Sequence, residues 1–243
     1  MFLTILPSEC EDFFGGMDMP DALVQPFYEV PGRIVSLHKN EYLFHEGGTA
    51  KYFYFVHSGQ IRISKSADSG RVLSLRLAHQ GSVIGELPLY QKRRVYIFDA
   101  IAKTAAEVYA IEYPVLEHSL EEHPQLAVNM LKIMAKHMRK QHHKFRDLLL
   151  YGKKGAVYST LIRMANSYGR EEDGGVLIPL EMTNQELADY SAMSRESLNR
   201  LLSEMKRDGI IAYRGSFIFL RDMAYLRQEV RCESCGAEDC IIE

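Results

Sequence analysis

Three cysteines crowd the end of the chain as Cys232-x2-Cys235-x4-Cys240. Thiolates at this spacing are soft donors, suited to an iron–sulfur cluster or to zinc. The chain holds four cysteines in all, too few in 243 residues for a disulfide scaffold. A closed site needs a fourth ligand. Cys10 is one candidate, although its simpler reading is a free cysteine. The tail around the thiols, residues 229–243, also carries five acids, including Glu233, Glu238 and Asp239, which raise the cost of holding an anionic cluster.

A second set of residues suits nucleic acid. Arg195, Glu196, Asn199 and Arg200 fall on the outward face of a helix whose inward stripe is Leu198, Leu201, Leu202 and Met205. Arg can bond guanine O6 and N7 together, and Glu can accept from the cytosine amino group. Ser194, Ser197 and Thr183 are candidate donors to phosphates. The plainer reading is an exposed helix with an i,i+4 ion pair between Glu196 and Arg200. Residues 183–215 hold five basic and five acidic side chains, so bulk charge does not choose between the two. Local punctuation does. Thr183-Asn184-Gln185-Glu186 is a capping box that opens a short helix, Asn184 to Tyr190. The chain turns through Ser191-Ala192-Met193, Ser194 caps a second helix from Arg195 to about Arg207, and Gly209 ends it. A hairpin follows, with Ile210–Tyr213 and Ser216–Phe219 about Arg214-Gly215. Two short helices around a tight turn and then a hairpin predict a winged helix-turn-helix. That motif carries the N-terminal end of its second helix into the major groove.

These groups need a scaffold. Residues 1–27 read as an arm or a short helix. Residues 28–113 alternate in the manner of strands, as in Tyr52-Phe53-Tyr54-Phe55-Val56, with glycines between the apolar runs, which predicts an all-β sandwich or barrel. Residues 114–150 lack glycine and read as helix. Within them Leu131, Met134, Met138, Gln141, Phe145 and Leu148 are spaced 3, 4, 3, 4, 3, an a/d seam that a second copy of the chain would cover. A neighbouring stripe, Leu126, Met130, Ile133 and His137, is expected to pack on the β domain. Lys132 to Lys154 contain eight Lys/Arg, read as a solvated basic face, with His142 and His143 as surface residues. Residues 151–228 form the reading domain, with a helix from Ala156 to Asn166, a polar loop at 170–175 and a strand at 176–180. Residues 229–243 are the cysteine-bearing tail. The fold class is α+β.

Composition bounds the rest. Apolar residues make up 47% and charged residues 25%, with a formal net charge of −3. That excludes a globally basic nucleic-acid coat, so DNA contact must come from a local surface. No apolar run reaches the length of a membrane span, and the N-terminus lacks signal-peptide character. The expected location is the cytoplasm. No nucleophile–base pair and no Gly-rich nucleotide loop is visible, so no enzyme is expected.

Several segments together resemble the superfamily of the cyclic-AMP receptor and the fumarate-nitrate-reduction regulator. Glu41-Tyr42-Leu43-Phe44-His45-Glu46-Gly47, Tyr54 to Gly59 and Gly81-Ser82-Val83-Ile84-Gly85-Glu86-Leu87 are similar to its effector-domain signature. Ser194 to Leu202 is similar to its recognition helix. The resemblance implies a β-roll, a long dimerisation helix, a winged helix-turn-helix, a homodimer on double-stranded palindromic DNA, and contact with RNA polymerase, for which the Tyr168–Gly175 loop is the family-based candidate. Arg195, Glu196 and Arg200 match the family's Arg-Glu-x-x-x-Arg readers, which implies a TGTGA-like half-site. The phosphate-binding segment departs from the family pattern. Arg93 and Arg94 are followed by Val95 and Tyr96, where a small residue is needed, so cyclic nucleotide is not the expected effector.

Within that superfamily the chain resembles the Bacillus-type oxygen regulators, whose three cluster cysteines lie at the C-terminus. Arg146-Asp147-Leu148-Leu149-Leu150-x-Gly152-Lys153-Lys154-Gly155-Ala156 carries the likeness. It implies that Asp147 joins Cys232, Cys235 and Cys240 around a 4Fe-4S cluster. Read from the residues alone, Asp147 is the one acid between Lys132 and Lys154, and a salt bridge to Arg146 or Lys144 explains it as well. On the cluster reading, the tail is tied to the end of the dimer helix. The two recognition helices then sit about one DNA turn, ~34 Å, apart, and oxygen or nitric oxide undoes the tie. The alternatives are a regulator of the same fold that senses a small molecule or binds zinc, and an iron–sulfur electron-transfer protein.

Overall fold

The computed structural model describes residues 22–70, 72–232 and 240–242. Cys10, Cys235, Glu233, Glu238, Asp239 and most of the N-terminal arm lie outside the described residues. The chain folds as two compact units, the first holding residues up to Ser66 and Leu75–Lys136 and the second Ala67–Ser74 and His137–Ile242, so that one division falls within a long helix, after Lys136.

The first unit begins with a 3-10 turn, Gln25–Glu29. Eight strands follow: β1 (Arg33–Leu37), β2 (Tyr42–Phe44), β3 (Tyr52–Ser58), β4 (Ile61–Ser66), β5 (Val72–Ala78), β6 (Val83–Ile84), β7 (Asp99–Ala102) and β8 (Ala106–Glu112). They form two four-stranded sheets, ordered β1-β8-β3-β6 and β2-β7-β4-β5. The β3–β8 ladder is antiparallel, with Tyr54 opposite Ala110 and Phe55 opposite Tyr109. The glycine-punctuated alternation produces this roll. Gly70 takes φ +77° at the turn between β4 and β5, and its N–H donates to Ala67 O at 2.8 Å. The core gathers Phe27, Phe53 and Phe55, all fully buried. Phe27 stacks on Phe55 with ring centroids 4.9 Å apart. Each such side chain contributes about 1.5–3 kcal/mol through burial.

The expected helix over 114–150 is interrupted. Helix α1 spans Tyr113–Glu122 and α2 spans Pro124–Tyr168. His123, at φ −121° and ψ 91°, separates them, because the residue before a proline is pushed out of the helical region. Leu126, Met130 and Ile133 of α2 are buried in the core of the first unit, and Met134 packs against it. His137 is only half-buried.

Helix α2 is itself broken at Gly152 (φ +61°, ψ −164°). Its second arm turns back beside the first. Along a straight helix, positions 147 and 163 would stand roughly 24 Å apart. Instead, Arg163 Nη2 lies 2.5 Å from Asp147 Oδ2. Gly155 is part of the same turn, since a Cβ there would stand 2.1 Å from Tyr151 Cβ. The second arm begins earlier and ends later than the expected Ala156–Asn166 helix.

The second unit continues with β9 (Arg170–Glu172), β10 (Gly175–Ile178), α3 (Asn184–Tyr190), α4 (Arg195–Arg207), β11 (Ile211–Arg214), β12 (Phe217–Leu220) and α5 (Met223–Glu229). Its sheet order is β11-β12-β10-β9. The expected polar loop at 170–175 thus contains a strand. Glu172 pairs with Gly175 across a tight hairpin, which Gly174 permits at φ +83°. The core of this unit includes Val157, Leu161, Leu198, Leu202, Leu220, Leu226, Val230 and Ile242.

Candidate functional site

The helix-turn-helix forms as its punctuation requires. Thr183 Oγ1 accepts from the Glu186 N–H at 3.2 Å, and Glu186 Oε2 accepts from the Thr183 N–H at 2.8 Å. Ser194 Oγ accepts from the Ser197 N–H at 3.2 Å. Ala192 turns the chain with φ +52°. Leu198, Leu201, Leu202 and Met205 are buried, as the stripe predicts. Arg195, Glu196 and Arg200 are exposed. Among the described residues these three side chains form no hydrogen bond or ion pair with the rest of the chain, and the Glu196–Arg200 pair of the plainer reading is not formed.

Asn199 differs from expectation. It is half-buried, and its Oδ1 accepts from Asn184 Nδ2 at 2.7 Å, so it ties α4 to α3. The hydroxyls are also partly committed. Thr183 donates to Glu186 Oε2 at 3.0 Å and Ser194 donates to Ser197 Oγ at 2.9 Å. Of the three, only the Ser197 proton remains for a phosphate among the described residues.

The second constellation lies in the same unit. His143, Arg146, Asp147, Ser159, Ile162, Arg163, Val230, Cys232 and Cys240 line one pocket. It brings Asp147 to the two described tail cysteines, which are half-buried. Residues 240–242 are anchored to the second arm of α2. Asn166 Nδ2 donates to Cys240 O at 2.8 Å, and the Ile242 N–H donates to Ser167 Oγ at 3.0 Å. Cys232 follows α5, and its N–H donates to Arg227 O at 2.8 Å.

Asp147 is buried. The salt bridge to Arg146 is present, with Arg146 Nη2 2.8 Å from Oδ1. Arg163 is the partner that sequence reading missed, together with Ser159, whose hydroxyl donates to Oδ2. The available signal was a Ser and an Arg four positions apart on a helix otherwise buried by Val157, Tyr158, Leu161 and Ile162. His143 lines the pocket and is half-buried, not a plain surface residue. Among the described residues, no three His, Cys, Asp or Glu side chains form a metal-holding group.

In the segment where the family resemblance places a phosphate, several side chains are engaged within the chain. Tyr96 is buried and stacks on Phe44 at 3.7 Å. Its hydroxyl donates to Tyr52 O at 2.8 Å, and burial raises its pKa. Arg94 Nη2 pairs with Glu117 at 2.5 Å, and Arg76 pairs with Glu86 at 3.1 Å.

On the first arm of α2, Leu131, Met138 and Phe145 are exposed at seven-residue intervals, with relative exposures of 68%, 58% and 63%. Met134 and Leu148 are half-buried and Gln141 is exposed.

Residues 34–123 match the cyclic nucleotide-binding domain family, and residues 156–229 match the Crp-like helix-turn-helix domain family. The chain is 39% identical to the anaerobic regulatory protein of Bacillus subtilis, over 100% of this chain and 99% of that one. It is 25% identical to the CRP-like cAMP-activated global transcriptional regulator of Mycobacterium tuberculosis, over 78% of this chain and 84% of the relative. Among solved structures, FixK2 from Bradyrhizobium japonicum superposes with a TM-score of 0.68 at 23% identity, covering 81% of this chain and 96% of that one. The c-di-GMP-responsive regulator CLP of Xanthomonas campestris gives 0.72 at 22% identity, covering 82% and 99%. No helix among the described residues is long and apolar enough to cross a membrane.

Proposed function

The chain belongs to the Crp/Fnr family of DNA-binding transcription regulators, which are not enzymes, and we propose that it is an oxygen-responsive member. It acts as a homodimer that binds a TGTGA-like palindrome while Cys232, Cys235, Cys240 and Asp147 hold a 4Fe-4S cluster, and it regulates anaerobic genes together with RNA polymerase. One observation carries this reading. Asp147, far along the chain from Cys232 and Cys240, lines a single pocket with them.

The lining suits the group. Thiolates are the usual cluster donors, and a carboxylate can supply the fourth bond. Three thiolates and a carboxylate leave the site anionic, and Arg146 and Arg163 bring two positive charges to the same pocket. When bound, the cluster supplies iron–sulfide chemistry that oxygen and nitric oxide attack. The protein's own part is mechanical. Asp147 sits on the arm of α2 before Gly152, Cys232 follows α5, and Cys240 is anchored through Asn166 to the arm after Gly152. Whatever holds these side chains together therefore couples the helix turn to the core behind α4. An effector works only through such a difference between the states it binds.

The exposed stripe Leu131, Met138 and Phe145 supports the dimer, since a second copy would bury it. Arg195, Glu196 and Arg200, exposed and without partners among the described residues, support the TGTGA reading. Against cyclic nucleotide as the effector, the Tyr96 hydroxyl, Arg94 Nη2 and Glu86 are engaged within the unit.

The test is anaerobic reconstitution of the full chain with iron and sulfide, followed by DNA-binding measurements on a TGTGA palindrome with and without air. We expect a brown protein whose affinity falls in air by roughly 5–150-fold, the usual range of effector coupling. The triple Cys232/Cys235/Cys240→Ser chain should be colourless and indifferent to air. Equal wild-type affinity in both conditions overturns the reading. A colourless wild-type chain that takes up zinc instead moves the site to the zinc alternative.

A further inference from the structure

The two oxygens of Asp147 are held in different ways. Oδ2 accepts from Arg163 Nη2 at 2.5 Å and from the Ser159 hydroxyl. Both donors are buried, at 6% and 5% relative exposure, and both stand on the arm of α2 after Gly152. Among the described residues Oδ1 accepts from Arg146 alone, through Nη2 at 2.8 Å and Nε at 3.1 Å. The Arg146 side chain retains 23% exposure. One oxygen is thus fixed by groups that cannot leave without exposing a buried charge to an apolar core. The other is covered by a side chain with a path to water.

This arrangement borders Cys232 and Cys240 in the same pocket. We propose that Arg163 and Ser159 are positioning residues for the cluster carboxylate. They hold Asp147 Oδ2, so that Oδ1 is presented to the cysteine pocket once Arg146 turns away. The proposal rests on the cluster reading above and adds a division of labour among three donors. Arg163 has two tasks. In the metal-free chain it neutralises Asp147 and closes the Gly152 turn, and in the loaded chain it remains beside an anionic centre as a fixed counter-charge. Groups that bond a metal ligand from behind set its direction and its donor strength. Ser159 and Arg163 are four residues apart on one helical face, so a single rigid element delivers both bonds.

The test uses the full chain, reconstituted anaerobically, and follows the decay of the visible iron–thiolate absorption after a fixed pulse of air. R163K keeps the charge and loses the fork, and S159A removes the hydroxyl alone. Both are combined with D147N, and thermal unfolding of each iron-free chain reports that it is folded. We expect R163K to shorten cluster lifetime by about tenfold, the lower end of what outer ligand partners contribute, and S159A to shorten it less. In the D147N background neither change should have further effect, which a merely structural role for Arg163 would not produce. Wild-type lifetimes in both single variants overturn the proposal alone, as does a full R163K effect that persists beside D147N. If R163K does not fold, S159A with and without D147N decides in the same way. A wild-type chain that takes up no iron overturns the cluster reading and this proposal together.

Discussion

In the first unit, Glu86, Arg94 and Tyr96 each find a partner nearby: Arg76, Glu117 and the Tyr52 carbonyl. In the second unit, Cys232 and Cys240 line a pocket shared with a buried carboxylate and two arginines. The first arrangement commits Glu86, Arg94 Nη2 and the Tyr96 hydroxyl without a ligand, and leaves Arg94 Nε buried with no hydrogen-bond partner among the described residues. The second gathers two soft donors beside a carboxylate, the kind of donor set that suits a metal centre. The contrast teaches where to look for a sensor. A family pocket can persist as architecture after its chemistry is spent internally, while the reactive groups collect elsewhere in the chain.

Three measurements sharpen or break that contrast. The largest effect is expected from Tyr96→Ala. It removes a buried ring stacked on Phe44 and a hydrogen bond to Tyr52 O, and should destabilise the first unit by about 3–5 kcal/mol. Denaturant unfolding of the iron-free chain reads it, and the air response of the refolded protein should be intact. A loss of air response without a loss of stability would place the sensor in the first unit after all. Gly152→Ala should cost about 1–3 kcal/mol, because φ +61° with ψ −164° is a region that only glycine occupies freely. A Cβ there meets nothing within 4 Å, so the cost is backbone strain alone. Iron uptake should fall with it, since the turn brings Ser159 and Arg163 to Asp147. Uptake unchanged at reduced stability would separate the turn from the site. The smallest effect is expected from cyclic AMP, which should leave the melting temperature where it was. A ligand at a hundred times its Kd would stabilise by about 2.7 kcal/mol, so even modest binding would show and would restore the first unit as a sensor.

The parts that sequence made legible are those decided within a few residues. Thr183 with Glu186, Ser194 with Ser197, and Gly209 fix α3 and α4 at the expected bounds, because caps act over a single turn. The buried stripe of α4 follows from periodicity, and the roll from its glycine-punctuated strands. The misses are longer in range. Nothing local to Asp147 shows that Ser159 and Arg163 return to it, because that depends on how sharply the helix reverses at Gly152. Asn199 reads as outward by helical phase, yet Asn184 on another helix claims it. His123 hides a helix break that the following proline explains. The strand at Arg170–Glu172 is too short and polar to announce itself.

The bond between Asn184 and Asn199 has one more consequence. It joins α3 to α4 without the use of Arg195, Glu196 or Arg200. Those three can be exchanged at almost no cost to foldedness, since surface changes of this kind usually stay within about 0.5 kcal/mol. On the proposed reading of these three as the operator contacts, the choice of operator and the soundness of the fold are under separate control, and a chain of this kind can take up new operators without first repairing its architecture.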